Sequence, residues 1–224
     1  MEEWKEITLR RQIVAAARRL DALGMLPGSA GNISARLGEE LILVTPSAVP
    51  KASLQPEEVL VTDLEGKVVR GIRSYRPTSE LPMHLEVYRQ RADAMAVVHA
   101  HPAASVALTL LGVSLQEPIL PEAVLMLGEV PTTHYATPST PENQEAIRPW
   151  IKQHDVILLA RHGAIAIGST VEEATTKMIV LEHTAQTLVW AHILGKPTPL
   201  SQEEMEKLLQ VRQTYGKTAP GDEK

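Results

Sequence analysis

Residues 156–168 read VILLARHGAIAIG, and this stretch decides the fold. An apolar run from Val156 breaks at Arg161, His162 and Gly163, then resumes through Ala164, Ile165 and Ile167. Short apolar runs on either side of a glycine-containing break read as strand, turn and strand, with His162 at the apex and Gly163 permitting the tight turn. AMAVVHAH (94–101) is another apolar strand, and Pro102 opens a helix over 103–111. LPGSAGNISARLGEELILVTPSA (26–48) reads as a glycine-rich turn, a short strand, a hairpin turn at Gly38 and a second strand from Leu41 to Val44. LVTDLEGKVV (60–69) repeats the hairpin pattern around Glu65-Gly66.

Helices fill the intervals. Ile7, Val14, Ala17 and Leu20 or Leu23 are helically spaced over residues 4–23, with Gly24 where a C-terminal cap falls. Ser79 to Arg91 reads as a helix started by Thr78 or Ser79, with Pro82 tolerated in its first turn. Residues 142–153 form another, and Glu172 to Leu194 a long amphipathic one that ends at Gly195 and Pro197. Strands are too interspersed with helices for an all-β barrel and too rich in hairpins for a doubly wound parallel sheet. The expectation is one α/β domain over residues 1–200, with a central, mainly antiparallel sheet flanked by helices, and a C-terminal helix or tail over 201–224. Tyr215 in that tail is within the choice of residues for an active site.

The composition narrows the function. A hydrophobic fraction of 44% and a charged fraction of 22% belong to an ordinary globular chain. A net charge of −5 gives no reason to expect nucleic acid or an anionic membrane as partner. With no cysteine, disulfides, thiolate metal sites and cysteine nucleophiles are excluded. The N-terminus MEEWKEITLRRQ has no apolar run of signal-peptide type, and no stretch reaches the roughly 18 apolar residues of a membrane span. These features point to a cytoplasmic protein.

Three histidines stand in unusual places. His99 and His101 are two apart at the end of an apolar strand, so both leave the same face while Ala100 points into the opposite layer. His162 ends another strand. Neutral imidazoles suit zinc and other late first-row divalent ions, and three protein ligands leave a position open for substrate. A histidine at a strand end more often serves as an ordinary polar residue, and a sequence does not show that three of them converge. His84, His134, His154, His183 and His192 are weaker ligand candidates, although His84 lies four residues after Glu80 on the same helix face. Glu80 is the carboxylate best placed for acid/base work, at a helix start that also supplies amide donors for an anion. The helix dipole alone would also favour a glutamate there. The loops PGSAGNIS (27–34) and TPSAVP (45–50) hold the small residues, amides and hydroxyls of a phosphate nest, without matching a nucleotide fingerprint. Lys51, Arg73 and Arg76 are expected to be solvated.

Taken together, SAGNISAR, VTPSAVP, the TSE-x-x-x-H element of RPTSELPMH, AVVHAHP, HYATP and RHGAIAIG followed by a long helix resemble the class II aldolase/adducin family, in particular its L-fuculose-1-phosphate aldolase branch. The resemblance runs from about residue 7 to 195. It implies a single α/β domain with a central antiparallel sheet, assembled as a homotetramer with active sites between subunits. It implies His99, His101 and His162 as ligands of one divalent metal, normally Zn2+, with Mn2+ or Co2+ as alternatives. Glu80 matches the family's catalytic glutamate. Gly31, Asn32, Ser47, Ala48, Thr78 and Ser79 match positions that hold the phosphate of a phosphorylated sugar substrate. Two of these depart from the usual pattern, which has glycine at Ala48 and serine at Thr78. In ILPEAVLML (119–127), where the fuculose phosphate enzymes place a proton-donating tyrosine, Glu122 stands instead, so Glu122 or Tyr135 becomes the candidate donor. The implied reaction is reversible cleavage of a ketose 1-phosphate to dihydroxyacetone phosphate and an aldehyde. The scaffold also resembles methylthioribulose 1-phosphate dehydratases, which share the glutamate, and pentulose 5-phosphate 4-epimerases, which typically carry aspartate there. A non-catalytic adducin-like binding protein would have lost the histidines or the glutamate.

Overall fold

The computed structural model describes residues 2–115 and 118–215, with side chains described through 211 except those of 2, 116 and 117. Seven strands form one antiparallel sheet in the order β4-β3-β2-β1-β5-β7-β6. They are β1 (Asn32–Arg36), β2 (Leu41–Val44), β3 (Leu60–Asp63), β4 (Val68–Arg70), β5 (Ala96–Ala100), β6 (Val156–Leu159) and β7 (Gly163–Gly168). The expected hairpins are all present, and β5 crosses back to pair with both β1 and β7. Strands at the sheet centre read as continuous apolar runs because helices cover both faces, which removes the in/out alternation of a one-sided sheet.

One face packs on α1 (Glu2–Ala22), α3 (Ala103–Leu111) and α6 (Val171–Leu194), joining Ile13, Ala17 and Leu20 to Ile33, Val98, Ala100 and Ala166. Met178, Leu181, Ala185 and Leu188 recur on that face of α6. Burying each such leucine contributes about 1.5–3 kcal/mol. The other face packs on α2 (Leu81–Gln90) and α5 (Pro141–Ile147) through Met83, Val87, Ile147, Val97, Ile165 and Ile167. The short α4 (Pro121–Met126), in a segment not read as helix, carries Glu122 in its first turn. The C-terminal α7 (Gln202–Tyr215) packs on α4. Residues 216–224, and the Tyr215 side chain, lie outside what is described.

The boundaries follow the expectations closely for β2, α3 and α6 and less closely elsewhere. The helix expected over 142–153 ends at Ile147, and turns continue the chain to Gln153. Helix α2 begins at Leu81 rather than Ser79, so Glu80 is its N-cap, with φ −97° and ψ 9° and no capping bond from its own side chain. That carboxylate is turned elsewhere. Among the described residues no helix is long and apolar enough to cross a membrane.

Candidate metal centre

The register of the sheet brings the site together. Asn32, the first residue of β1, pairs with His99 near the end of β5, and His99 in turn pairs with Ile165 of β7. His101 lies just past the strand, where its amide donates to the Met25 carbonyl at 2.9 Å. His162 sits in the β6–β7 turn, its amide 3.0 Å from the Leu159 carbonyl. Glu182 of α6 accepts from the Ala104 and Ser105 amides at 2.9 and 3.0 Å and so anchors the start of α3 directly after the histidine pair.

The glycine in this turn does something other than expected. Arg161, at φ 61°, takes the left-handed conformation that makes the turn. Gly163 is required for space: a Cβ there would stand 2.3 Å from the Ala100 carbonyl oxygen, 3.1 Å from His99 Cε1 and 3.2 Å from His101 Cδ2. Gly31 meets both demands, with φ +70° and a Cβ position 2.9 Å from the His99 carbonyl.

His99, His101 and His162 form a nearly equilateral triangle, with ring centroids 4.8, 4.8 and 4.9 Å apart. Glu80 reaches into it, Oε2 at 3.0 Å from His99 Nε2 and Oε1 at 3.3 Å from His162 Nε2. Two amides hold the carboxylate. Asn32 Nδ2 donates to Oε2 at 3.0 Å, and Asn143 Nδ2, from α5, to Oε1 at 3.3 Å. Burial alone would push the Glu80 carboxyl up, but positive charge and hydrogen bonding from the facing His99, positive charge at His162 and the Asn32 donor outweigh it and hold it well below the usual carboxylate range. A cation held by neutral rings would act in the same direction.

The donor set fits a divalent cation. His99 Nδ1 donates to the Ala164 carbonyl at 2.9 Å, so a neutral ring there would present its Nε2 as a lone pair. That lone pair faces His101 Nε2 and Glu80 Oε2, each at 3.0 Å. A proton on His101 bridges the first of these contacts and leaves the second repulsive. Burial pushes the His101 and His162 rings down to about 4, so near neutral pH both are uncharged and able to ligate. Among the described residues the buried His162 Nδ1 has no hydrogen-bond partner, so that ring's orientation depends on what its Nε2 binds. One ligand atom from each of Glu80, His99, His101 and His162 lies within 4.8 Å of all the others. A shared cation would turn these crowded lone pairs into bonds, and imidazole donors suit a divalent first-row metal ion.

The other named positions divide into two groups. The three loops matched to phosphate binding meet at the same end of the sheet: the Ser47 amide donates to the Arg76 carbonyl at 2.9 Å, the Thr78 amide to the Thr45 carbonyl at 3.3 Å, and the Ile33 amide to Thr45 Oγ1 at 3.1 Å. Ser47, Ala48 and Ser79 are exposed there, and Ser79 Oγ lies 2.8 Å from Ser139 Oγ. Ala48 holds φ 60°, a conformation glycine adopts without strain, which explains physically why glycine is commoner at its position in the resembled pattern. The Asn32 side chain is turned to Glu80 and His84. Glu122 and Tyr135, by contrast, are exposed and are not among the four residues of the cluster.

Arg73 and Arg76 are solvated as expected, but Lys51 is not. It is 1% exposed, and its Nζ donates to the Ser29 and Val49 carbonyls at 3.0 and 2.8 Å, tying the first two loops together from behind. Asn143 was not singled out from the sequence. It sits 63 residues from Glu80, and no local pattern announces the contact.

The class II aldolase and adducin N-terminal domain description matches residues 11–189. A 5-methylthioribulose-1-phosphate/5-deoxyribulose-1-phosphate aldolase of Rhodospirillum rubrum is 35% identical, covering 95% of this chain and 95% of its own. The L-fuculose phosphate aldolase of Escherichia coli is 32% identical over 93% of this chain and 95% of its own. The crystal structure of L-fuculose-1-phosphate aldolase from Thermus thermophilus superposes with a TM-score of 0.73 at 32% identity, covering 85% of this chain and 98% of that one. By the extent of that match and the named aldolases aligned along nearly its whole length, the chain belongs to the class II aldolase and adducin family, among its enzymes.

Proposed function

We propose that this chain is a metal-dependent aldolase that reversibly cleaves a ketose 1-phosphate to dihydroxyacetone phosphate and an aldehyde. The observation that carries the proposal is the buried Glu80 carboxylate set against the three-histidine triangle, beside loops of phosphate-nest character. A divalent cation held by His99, His101 and His162, with Zn2+ the best match and Mn2+ or Co2+ as alternatives, supplies the positive charge that a ketone and its neighbouring hydroxyl need on becoming an enediolate.

The chain's own groups do the rest. In the condensing direction Glu80, ionised and steadied by Asn32 and Asn143, takes a proton from C3 of dihydroxyacetone phosphate as the enediolate forms. In the cleaving direction the C4 hydroxyl gives up its proton to a base, C3–C4 scission leaves the enediolate, and Glu80, once protonated, returns a proton to C3. Gly31, Asn32, Ser47, Ala48, Thr78 and Ser79 bind the phosphate through amides and hydroxyls, with Lys51 bracing two of their loops, and that remote binding fixes the reacting carbons. Glu122 and Tyr135 stand on the surface, so either one serves as proton donor to the aldehyde oxygen only where an assembly brings it to a site. Homotetramer formation, with sites between subunits, fits that need. The exposed Trp190, Ile193 and Leu194 near the end of α6 supply apolar surface for such an assembly. A phosphorylated substrate favours a cytoplasmic location.

The relatives' substrates narrow the class. One is named for 5-deoxy- and 5-methylthio-ribulose 1-phosphates and the other for L-fuculose phosphate. We infer a ketose 1-phosphate with little polarity at its far end. The experiment is release of dihydroxyacetone phosphate from these three sugars by metal-replete and EDTA-stripped protein. Metal-dependent release from at least one supports the aldolase, and the preferred sugar defines the aldehyde pocket. No release from any, together with water loss from methylthioribulose 1-phosphate, replaces it with the dehydratase.

A further inference from the structure

Behind the cluster runs a line of buried polar side chains that the chemistry above leaves unused. Tyr88 OH lies 2.8 Å from Ser34 Oγ, Ser34 Oγ 2.7 Å from His84 Nδ1, and His84 Nε2 2.5 Å from Asn32 Oδ1. Asn32 Nδ2 then reaches Glu80 Oε2 at 3.0 Å. Ser34 and His84 are fully buried, and Tyr88, Asn32 and Glu80 nearly so. Ser34 and Asn32 share the face of β1 that looks onto α2, while His84 and Tyr88 lie one and two turns along α2 from Glu80. Sheet and helix thus contribute alternate members.

The acceptor at one end settles the direction of every bond. An ionised carboxylate only accepts, so Asn32 must present its NH2 to Glu80 and its carbonyl oxygen to His84. That oxygen also only accepts, so the His84 proton is on Nε2, and Nδ1 accepts from the Ser34 hydroxyl. Ser34 Oγ in turn accepts from Tyr88. Burial pushes the His84 ring down to about 3, which keeps it neutral and able to accept at one nitrogen while donating at the other.

We propose that His84 is a positioning residue for the reaction: as the neutral Nε2–H tautomer it locks the Asn32 amide with its NH2 toward Glu80, and so fixes the carboxylate that moves the proton. A flipped amide would set a carbonyl oxygen against the carboxylate. His84 is the histidine of the TSE-x-x-x-H element, and neither the metal triangle nor the phosphate loops account for it. The step that it serves rests on the aldolase reading, whereas the hydrogen-bond chain does not.

The test uses the metal-loaded, full-length protein with His84→Ala and Tyr88→Phe variants, checked for bound metal and for folding by circular dichroism. Turnover with the preferred ketose 1-phosphate is expected to fall about 10- to 100-fold in His84→Ala, the range for lost outer partners of a metal site. KM should move far less than kcat. Imidazole in the buffer restores part of kcat, and 1-methylimidazole, which has no N–H to donate, does not. Tyr88→Phe removes one hydroxyl and lowers kcat about two- to tenfold. In parallel, 15N NMR of the parent at neutral pH reads the His84 tautomer without any substrate. A folded, metal-loaded His84→Ala protein with parental kcat overturns the proposal, as does an Nδ1–H or protonated His84 in the parent. Should His84→Ala not fold, Tyr88→Phe and the NMR decide. A parent inactive on every ketose 1-phosphate sinks the aldolase reading, and the tautomer then decides the chain of bonds alone.

Discussion

Asn32 and His99 stand directly opposite each other across the β1–β5 ladder, so one cross-strand pair links the sheet to both the carboxylate and the metal triangle. Removing His99 therefore does more than delete one ligand, because the Ala164 carbonyl also loses its donor. His99→Ala is expected to lower metal affinity by more than the roughly 10- to 100-fold typical of outer-shell changes. Metal content after dialysis checks this, with the exposed His134→Ala as the control that keeps about one ion per chain, as a single three-ligand site requires.

Gly163→Ala tests the close approach at the β7 start. A methyl group 2.3 Å from the Ala100 carbonyl forces backbone to move, and the two histidine rings leave it nowhere to go. Stability is expected to drop by about 1–3 kcal/mol, as for overpacked cores, with metal binding weakened in step. Urea unfolding at matched metal concentration measures both. An unchanged midpoint would show that the turn relaxes freely.

Lys51→Met tests the brace behind the loops. The Ser29 and Val49 carbonyls lose a charged donor, at a cost of about 1–3 kcal/mol for a buried acceptor left unpaired. On the phosphate role proposed for these loops, KM is expected to rise with kcat little changed. A fall in kcat at constant KM in steady-state kinetics would contradict that role.

Stability in acid follows from the buried histidine. His84 titrates near its ordinary 6.5 in the unfolded chain and near 3 in the folded one. Between those values the unfolded state binds the extra proton, so this contribution is complete above pH 6.5 and is lost as pH falls toward 3. Within that window it contributes about 1.4 kcal/mol per pH unit. Urea midpoints of metal-free protein should decline steadily from pH 7 to 5, and a flat profile would show that His84 is solvated in the folded state.

Much of this was legible in the chain. Strand ends place His99 and His162, a helix start places Glu80, and paired apolar runs with turn residues between them specify antiparallel strands. What the sequence concealed depends on contacts between distant segments. Gly163 looks like a turn glycine until the strand beside it is known, and Arg161 carries the strained turn instead. Lys51 looks solvent-bound because nothing local shows that the Ser29 loop, 22 residues away, will cover it. Asn143 and the partners of His84 are 63 and about 50 residues from what they touch. Burial and register create those contacts, and neither is written in a local motif.

The most direct test of the central claim leaves the unknown aldehyde out. Dihydroxyacetone phosphate alone, incubated in D2O with metal-replete protein, should lose one C3 hydrogen to solvent, followed by proton NMR. Exchange should stop on EDTA treatment and fall by about 10²–10⁴ in Glu80→Gln, the range for removing a general base, while that variant keeps its metal. No exchange with the metal-replete protein, or equal exchange with Glu80→Gln, would contradict a metal-supported enediolate whose proton Glu80 carries.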